Sequence, residues 1–158
     1  MNDTMAEISF AAERWADVRS ELAPLSCAHW QETEEAMYGA QDAIPVNETL
    51  LEALEHGGAL LVVTLRIANA LHGYAAYCSA PSLNMPGRTT AQALALYVSP
   101  LARKDKFAAL RLLRTAENML RQRGVWGLSY NSPASRPCDA LYRRLGARMT
   151  ETVWYKEL

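Results

Sequence analysis

Between residues 92 and 130 the sequence changes its hydrophobic period twice with almost no spacer, and this restricts the fold more than any other feature. Residues 92–98 set Leu94, Leu96 and Val98 against Ala93, Ala95 and Tyr97, a period of two that predicts a strand, and Pro100 ends it. Over 106–123, Phe107, Leu110, Leu113, Ala116, Glu117 and Leu120 recur at spacings of three and four, which predicts a long amphipathic helix stopped by Gly124. Residues 125–130 read as a strand again. Strand, helix and strand in immediate succession require a sheet with a helix on its face.

The flanks extend this pattern. Residues 4–37 read as helical, with Phe10, Trp15 and Val18 on an apolar stripe and a break at Pro24 that makes two helices. Residues 39–45 are turn-like, and 46–55 resume helical spacing through Leu50, Leu51 and Leu54, with Asn47 as N-cap and Gly57-Gly58 as stop. Segments 60–66 and 71–79 are apolar or aromatic runs parted by Asn69-Ala70, a hairpin pattern, and 81–90 is a loop. A short helix over 138–145 ends at Gly146, and 148–155, with Thr152, Val153 and Trp154, predicts a final strand. The expected architecture is α/β: a mixed sheet with helices on both faces, in one domain spanning 1–158.

Composition narrows the class. With 158 residues, 50% hydrophobic and 21% charged, the chain can bury a core and falls outside the disordered and supercharged classes. The net charge of -1 hides an asymmetry: residues 1–57 carry twelve acids against Arg14 and Arg19, net -10, and the remainder carries +9. The acidic third favours a cationic partner by electrostatic focusing. A nucleic-acid interface on Arg111, Arg114, Arg121 and Arg123 is disfavoured by that acidity and by the lack of interleaved aromatics. Cys27, Cys78 and Cys138 are odd in number and widely spaced, so they read as reduced, with no zinc-type pair and no metal expected. The longest apolar stretch, 59–65, is too short to cross a bilayer, and the N-terminus lacks a secretory pattern, so a cytoplasmic location and no membrane partner are expected.

One unit suggests chemistry. The strand ending at Val98 is followed by Ser99-Pro100, then the basic turn Arg103-Lys104-Asp105-Lys106, then the long helix. A helix N-terminus offers free amides and partial positive charge, so this unit is a candidate phosphate site; an ordinary solvated helix start would look the same.

The order of elements, residues 94–100, Arg103, segment 110–117, residues 123–125 and the run 139–146 resemble the GNAT family of acetyl-coenzyme A dependent N-acetyltransferases. The likeness covers most of the chain after about Gly58. It is most specific over 141–146, Leu-Tyr-Arg-Arg-Leu-Gly, which is similar to the family's Leu-Tyr-x-x-x-Gly-aromatic segment, with Ala147 in place of the aromatic. Residues 29–32, 58–66, Gly73-Tyr74 and Tyr155-Lys156 are similar, more narrowly, to GNAT-like proteins of bacteriophage and prophage genomes, which would place the chain in a bacterial host cell.

The resemblance implies a mostly antiparallel GNAT-like sheet flanked by helices, and acetyl-coenzyme A as co-substrate. Its arm would pair with the backbone at Leu96 and Val98, between the strands ending at Val98 and Tyr130. Its pyrophosphate would sit at Arg103, Lys104, Lys106, Phe107 and Ala108, with Asn131 where the strands splay. A primary amine would attack directly, without an acyl-enzyme, and Tyr142 would protonate the departing thiolate. The acceptor would be a small-molecule or protein amine, cationic in solution, held near Glu32.

Two departures from the family pattern stand out. The loop that usually carries glycines has Lys106 and Ala108 there, so either lysine charge replaces amide contacts or the pocket has degenerated. The central strand, 91–96, lacks the acid that the phage-type proteins tend to place there. A base would come from Glu32, Glu34 or Glu35, Glu32 sharing a helix face with His29, or less readily from His72; otherwise the amine loses its proton to water. The rival to an enzyme is a GNAT-fold binding or interaction protein that keeps coenzyme A or has lost it. Trp154 and Tyr155 are candidates for a homodimer sheet.

Overall fold

The computed structural model describes residues 7–43 and 45–158, so the first residues of the helical stretch expected from Thr4 lie outside it. Five strands form one sheet in the order β1-β2-β3-β4-β5: β1 Ile8–Ala12, β2 Leu60–Ile67, β3 Ala70–Pro81, β4 Thr89–Val98 and β5 Val125–Ser129. The first four are antiparallel and β5 lies parallel to β4, as the strand–helix–strand succession requires. Helix α4, Ala108–Gln122, covers one face, and helices α1, Trp15–His29, and α3, Glu48–His56, cover the other.

Burial on both faces explains the unbroken apolar run of β2. Leu61, Val63 and Leu65 pack toward α4, with Leu112, Leu113, Ala116 and Leu120, whereas Leu60 and Val62 pack with Trp15, Val18 and Leu22 of α1. Asn47 caps α3 as expected, its Oδ1 accepting the Leu50 amide at 3.0 Å. The β2–β3 hairpin turns through Ala68 and Asn69, both with positive φ, a pair that matches the twist of the strands it joins.

The helical reading of the first stretch is corrected in two places. Residues 8–12 are a strand: Ile8 and Phe10 turn to the core, Ser9 and Ala11 to solvent, and β1 covers an edge of β2 that would otherwise expose its backbone. Pro24 does not break α1. It lies on the exposed side, where water can satisfy the carbonyl that its ring leaves unbonded, while Trp15, Val18, Leu22 and Ser26 hold the opposite side. The chain then loosens into a π-helical turn, Trp30–Glu34, and a short helix α2, Glu35–Tyr38.

The predicted final strand is also corrected. After helix α5, Asp139–Arg144, the chain from 147 onward pairs with no strand among the described residues. Its large apolar side chains Met149, Val153 and Trp154 are exposed, Trp154 at 91%. Tyr155 packs edge-on against Tyr38, the ring centroids 5.1 Å apart.

Candidate functional site

The alternation expected through β4 is interrupted at Leu94, and the interruption makes a site. Ala95 lies opposite Ala76 and Ala93 opposite Tyr77, so Leu94 is an extra residue, a bulge that reverses the phase of the strand. Ala91 and Ala93 face α4 before it; Leu96 and Val98 face α4 after it, with Ala95 and Tyr97 turned to α1. Backbone direction reverses with the side chains. Ser99 donates to the carbonyl of His72 at 2.7 Å, so by alternation Tyr97 aims its backbone at β3 while Leu96 and Val98 aim theirs away from it.

Nothing in the sheet meets those groups, because β5 leaves β4 early. The last paired residues are Gln92 and Ser129. Asn131 closes the split, its Nδ2 donating to the carbonyl of Ala93 at 3.0 Å. Beyond it, β4 presents an open edge at Leu96 and Val98, the two residues expected to hold an extended arm. Gly73 helps set this stretch: a Cβ there would stand 2.9 Å from the carbonyl oxygen of Tyr97.

At the end of this edge the chain turns through a single 3₁₀ turn, Ala102–Lys104, into α4. Lys104 and Lys106 are exposed and form no ion pair among the described residues. Ala108 turns its methyl into the core and its amide donates to the carbonyl of Asp105 at 3.1 Å, so its N–H is already used. The amides of Lys106, Ala109 and Leu110 have no acceptor among the described residues. Sequence reasoning missed Asp105, which accepts the amide of Phe107 at 2.9 Å and pairs with Arg111. A short acid three residues before a helix is a cap signal that could have found it. Phe107 itself stands on the surface.

Arg103 points elsewhere. Its guanidinium lies over the Tyr97 ring and 2.6 Å from Oε2 of Glu32, not at the start of α4. Glu32 also takes Arg136 at 2.6 Å on the same oxygen and the Tyr97 hydroxyl at 2.7 Å on the other. Burial would raise its pKa, but the hydrogen bonds from Tyr97, Arg103 and Arg136 outweigh it and hold the carboxyl below its ordinary value. A carboxylate so held is a weak base. His29 and Glu32 both meet Tyr97, the His29 ring by stacking, and the π turn brings Glu34, five residues on, to 3.7 Å from His29 Nε2, while Nδ1 meets the Tyr74 hydroxyl at 3.1 Å. Burial lowers the pKa of His29 and raises that of Glu34. Glu35 is exposed, and His72 Nδ1 bonds the Ser99 hydroxyl at 3.1 Å.

Tyr142, on α5, reaches the split from the opposite side. Its hydroxyl donates to the carbonyl of Asn131 at 2.7 Å, and its ring stacks on Tyr130 with centroids 4.6 Å apart. Tyr130 is fixed in turn by its hydroxyl bond to Glu117 at 2.8 Å. Burial pushes the Tyr142 phenol above its ordinary value, so it stays protonated at neutral pH. The site thus collects Leu96, Val98, Asn131 and Tyr142 at the split, Lys104, Lys106, Phe107 and Ala108 at the helix start, and Glu32 with Arg103 at its rim.

Solved structures share this arrangement of elements at low sequence identity. A ribosomal-protein-alanine N-acetyltransferase from Brucella melitensis biovar Abortus matches with a TM-score of 0.70 at 18% identity, over 96% of this chain and 99% of its own. An aminoglycoside acetyltransferase from an uncultured soil metagenomic sample gives 0.72 at 13%, over 96% and 99%. A GNAT family acetyltransferase of Staphylococcus aureus gives 0.66 at 15%, over 98% and 100%. No family model and no curated protein matches the sequence. The likeness establishes the fold, which is the GNAT fold: a mostly antiparallel sheet, splayed beside β4 and flanked by helices.

Proposed function

We propose that this chain moves an acetyl group from acetyl-coenzyme A to a primary amine, by direct attack within a ternary complex. The observation that carries the reading is the split itself: a strand edge with free backbone groups at Leu96 and Val98, bounded by Asn131 and Tyr142, leading to a helix start with free amides. The donors suit the co-substrate. The open edge can add an extended arm as a further strand, and Lys104, Lys106 and the amides of Lys106, Ala109 and Leu110 suit a pyrophosphate. The missing glycines are no obstacle, since the Ala108 methyl is buried away from the loop surface and the Lys106 side chain is exposed.

When bound, acetyl-coenzyme A supplies a thioester: the amine nitrogen bonds its carbonyl carbon, the carbon–sulfur bond breaks, and the sulfur leaves needing a proton. Tyr142 gives that proton from its hydroxyl, which turns from the Asn131 carbonyl to the sulfur while the Tyr130 stack keeps the ring oriented. The ammonium loses one proton to water before it attacks and the new amide nitrogen loses another, because Glu32 has both oxygens engaged; Tyr142 regains its proton from water once the thiol has left. A cationic amine is drawn in by the acidic first third. The narrower likeness to phage and prophage proteins, and the cytoplasm of a bacterial host as the setting, belong to the same proposal. No helix among the described residues is long and apolar enough to cross a membrane.

Asp105 favours a second reading, since its carboxylate occupies part of the helix start: a GNAT-fold binding protein without turnover. Calorimetric titration with acetyl-coenzyme A and coenzyme A, followed by an assay of thiol release with amine acceptors, separates the two. Micromolar binding with turnover is the expected result. Binding without turnover supports the binding protein, and no binding up to millimolar co-substrate removes the acetyltransferase.

A further inference from the structure

Two arginines far apart in the chain converge on one carboxylate oxygen. Arg103 follows β4 and Arg136 precedes α5, yet each sets a guanidinium nitrogen 2.6 Å from Oε2 of Glu32, and Tyr97 donates to Oε1 at 2.7 Å. Three donors around two oxygens describe a carboxylate receptor whose present occupant is the protein's own side chain.

The receptor does not depend on that occupant. Ser135, next to Arg136, donates its hydroxyl to the carbonyl of Thr33 at 2.6 Å and so holds the loop beside the π turn. Arg103 keeps its place over the Tyr97 ring, 5.3 Å from the centroid. Rotation of the Glu32 side chain would free both guanidiniums, Arg103 remaining against the Tyr97 ring and Arg136 on a loop that Ser135 ties to the π turn. Its charged members reach solvent, the side chains of Arg103, Arg136 and Glu32 being 32%, 48% and 28% exposed, while Tyr97 is buried at 4% exposure. It also stands at the rim of the split, one residue from Val98 through Tyr97.

We propose that Arg103, Arg136 and Tyr97 bind the carboxylate of the acceptor, displacing Glu32, so that the acceptor is a small amine bearing a carboxylate, of the amino-acid class. This rests on the acetyltransferase reading for the reaction but not for the binding. The acceptor's amine, next to its carboxylate, then lies near the split, and its cationic form meets the acidic first third on the way in. A polycation without a carboxylate finds two arginines at the rim instead.

The test uses the full chain and two readouts. Without coenzyme A, calorimetry with alanine and N-acetylalanine against alaninamide reads the receptor alone; the carboxylates are expected to bind at least tenfold more tightly. Arg136→Gln should erase that preference, Arg136→Lys should restore part of it, and Glu32→Gln should strengthen carboxylate binding severalfold by removing the internal competitor. With acetyl-coenzyme A present, the KM for alanine should lie at least tenfold below that for alaninamide. Equal affinities for acid and amide, or a preference that survives Arg136→Gln in a protein of unchanged melting temperature, overturns the proposal. Carboxylate binding that depends on Arg136 in a chain that binds no coenzyme A keeps the receptor and removes the acetyltransferase.

Discussion

Asp105 accepts the amide of Phe107 at 2.9 Å, so a carboxylate of the protein's own sits at the end of α4 where phosphates are proposed to bind. It stabilises the free helix start and repels an incoming anion. Asp105→Asn keeps an oxygen for the amide and removes the charge. Coenzyme A affinity should rise about threefold to tenfold, as expected for one charge near a helix terminus. Calorimetry checks it; unchanged or weaker binding would show that Asp105 does not compete.

Lys104 and Lys106 carry the charge that the missing glycines cannot supply through close backbone approach. Replacing both with Gln should weaken coenzyme A about tenfold or more at low salt, and by less at 0.5 M salt, since exposed charges are screened. The melting temperature should hold, because both side chains are exposed and unpaired among the described residues.

Tyr142→Phe removes the proposed acid while keeping the stack on Tyr130. A loss of about a hundredfold or more in kcat is expected, with the KM for acetyl-coenzyme A little changed. Because burial raises the Tyr142 pKa above 10.0, the acid stays protonated further into alkali than an ordinary phenol. The wild-type rate should show no loss from this group up to pH 10, and a falling limb near pH 9 that vanishes in Tyr142→Phe would contradict the raised pKa.

Glu13 ties β1 and β2 through Arg66, with Oε2 2.9 Å from Nε and Oε1 3.1 Å from a terminal nitrogen. The hydrogen bond from Arg66 is the main cause of its lowered pKa, against the opposing effect of burial. A folded-state pKa below the unfolded 4.5 contributes stability that is present above that value and lost as pH falls through the folded pKa. Glu13→Gln should cost about 1 kcal/mol at pH 7 and progressively less as the pH is lowered through the carboxylate range, read by urea unfolding across a pH series.

The C-terminal segment beyond Ala147 contributes little to the folded state. Met149, Val153 and Trp154 are 76%, 81% and 91% exposed. Truncation after Ala147 should shift the melting temperature by no more than about 2 °C. A drop of 10 °C would mean that the segment packs, for instance in a dimer sheet, and the oligomeric state of both forms would show which.

What could be read without the structure is what is decided locally. Helix α4 shows in its own spacing, Asn47 caps the helix that begins beside it, and the basic turn is contiguous in sequence. The short helix carrying Tyr142 is bounded by its own punctuation, and Leu96 and Val98 entered through the resemblance of a continuous segment. Errors arose where local signals competed. Ile8 and Phe10 fit either period, and only the waiting edge of β2 decides for a strand. Pro24 breaks a helix by propensity, and burial of Trp15, Val18 and Leu22 overrides it. The tail has the composition of a strand and pairs with no strand among the described residues.

The rim of the site was beyond sequence reasoning, because its residues meet only in space. Arg103 lies 71 positions from Glu32 and Arg136 lies 104, and nothing in the intervening chain predicts that they share an oxygen. The π turn that moves Glu34 to His29 breaks the helical spacing on which a facing argument depends. The bulge at Leu94 likewise reverses which groups of β4 face the split, and it exists only as a mismatch of register with β3. Sequence alone determined α3, α4, the β2–β3 hairpin and the residue types available to bind an anion and move a proton. Tertiary structure decided which of them converge, because long-range pairing, not local periodicity, sets the distances between charges.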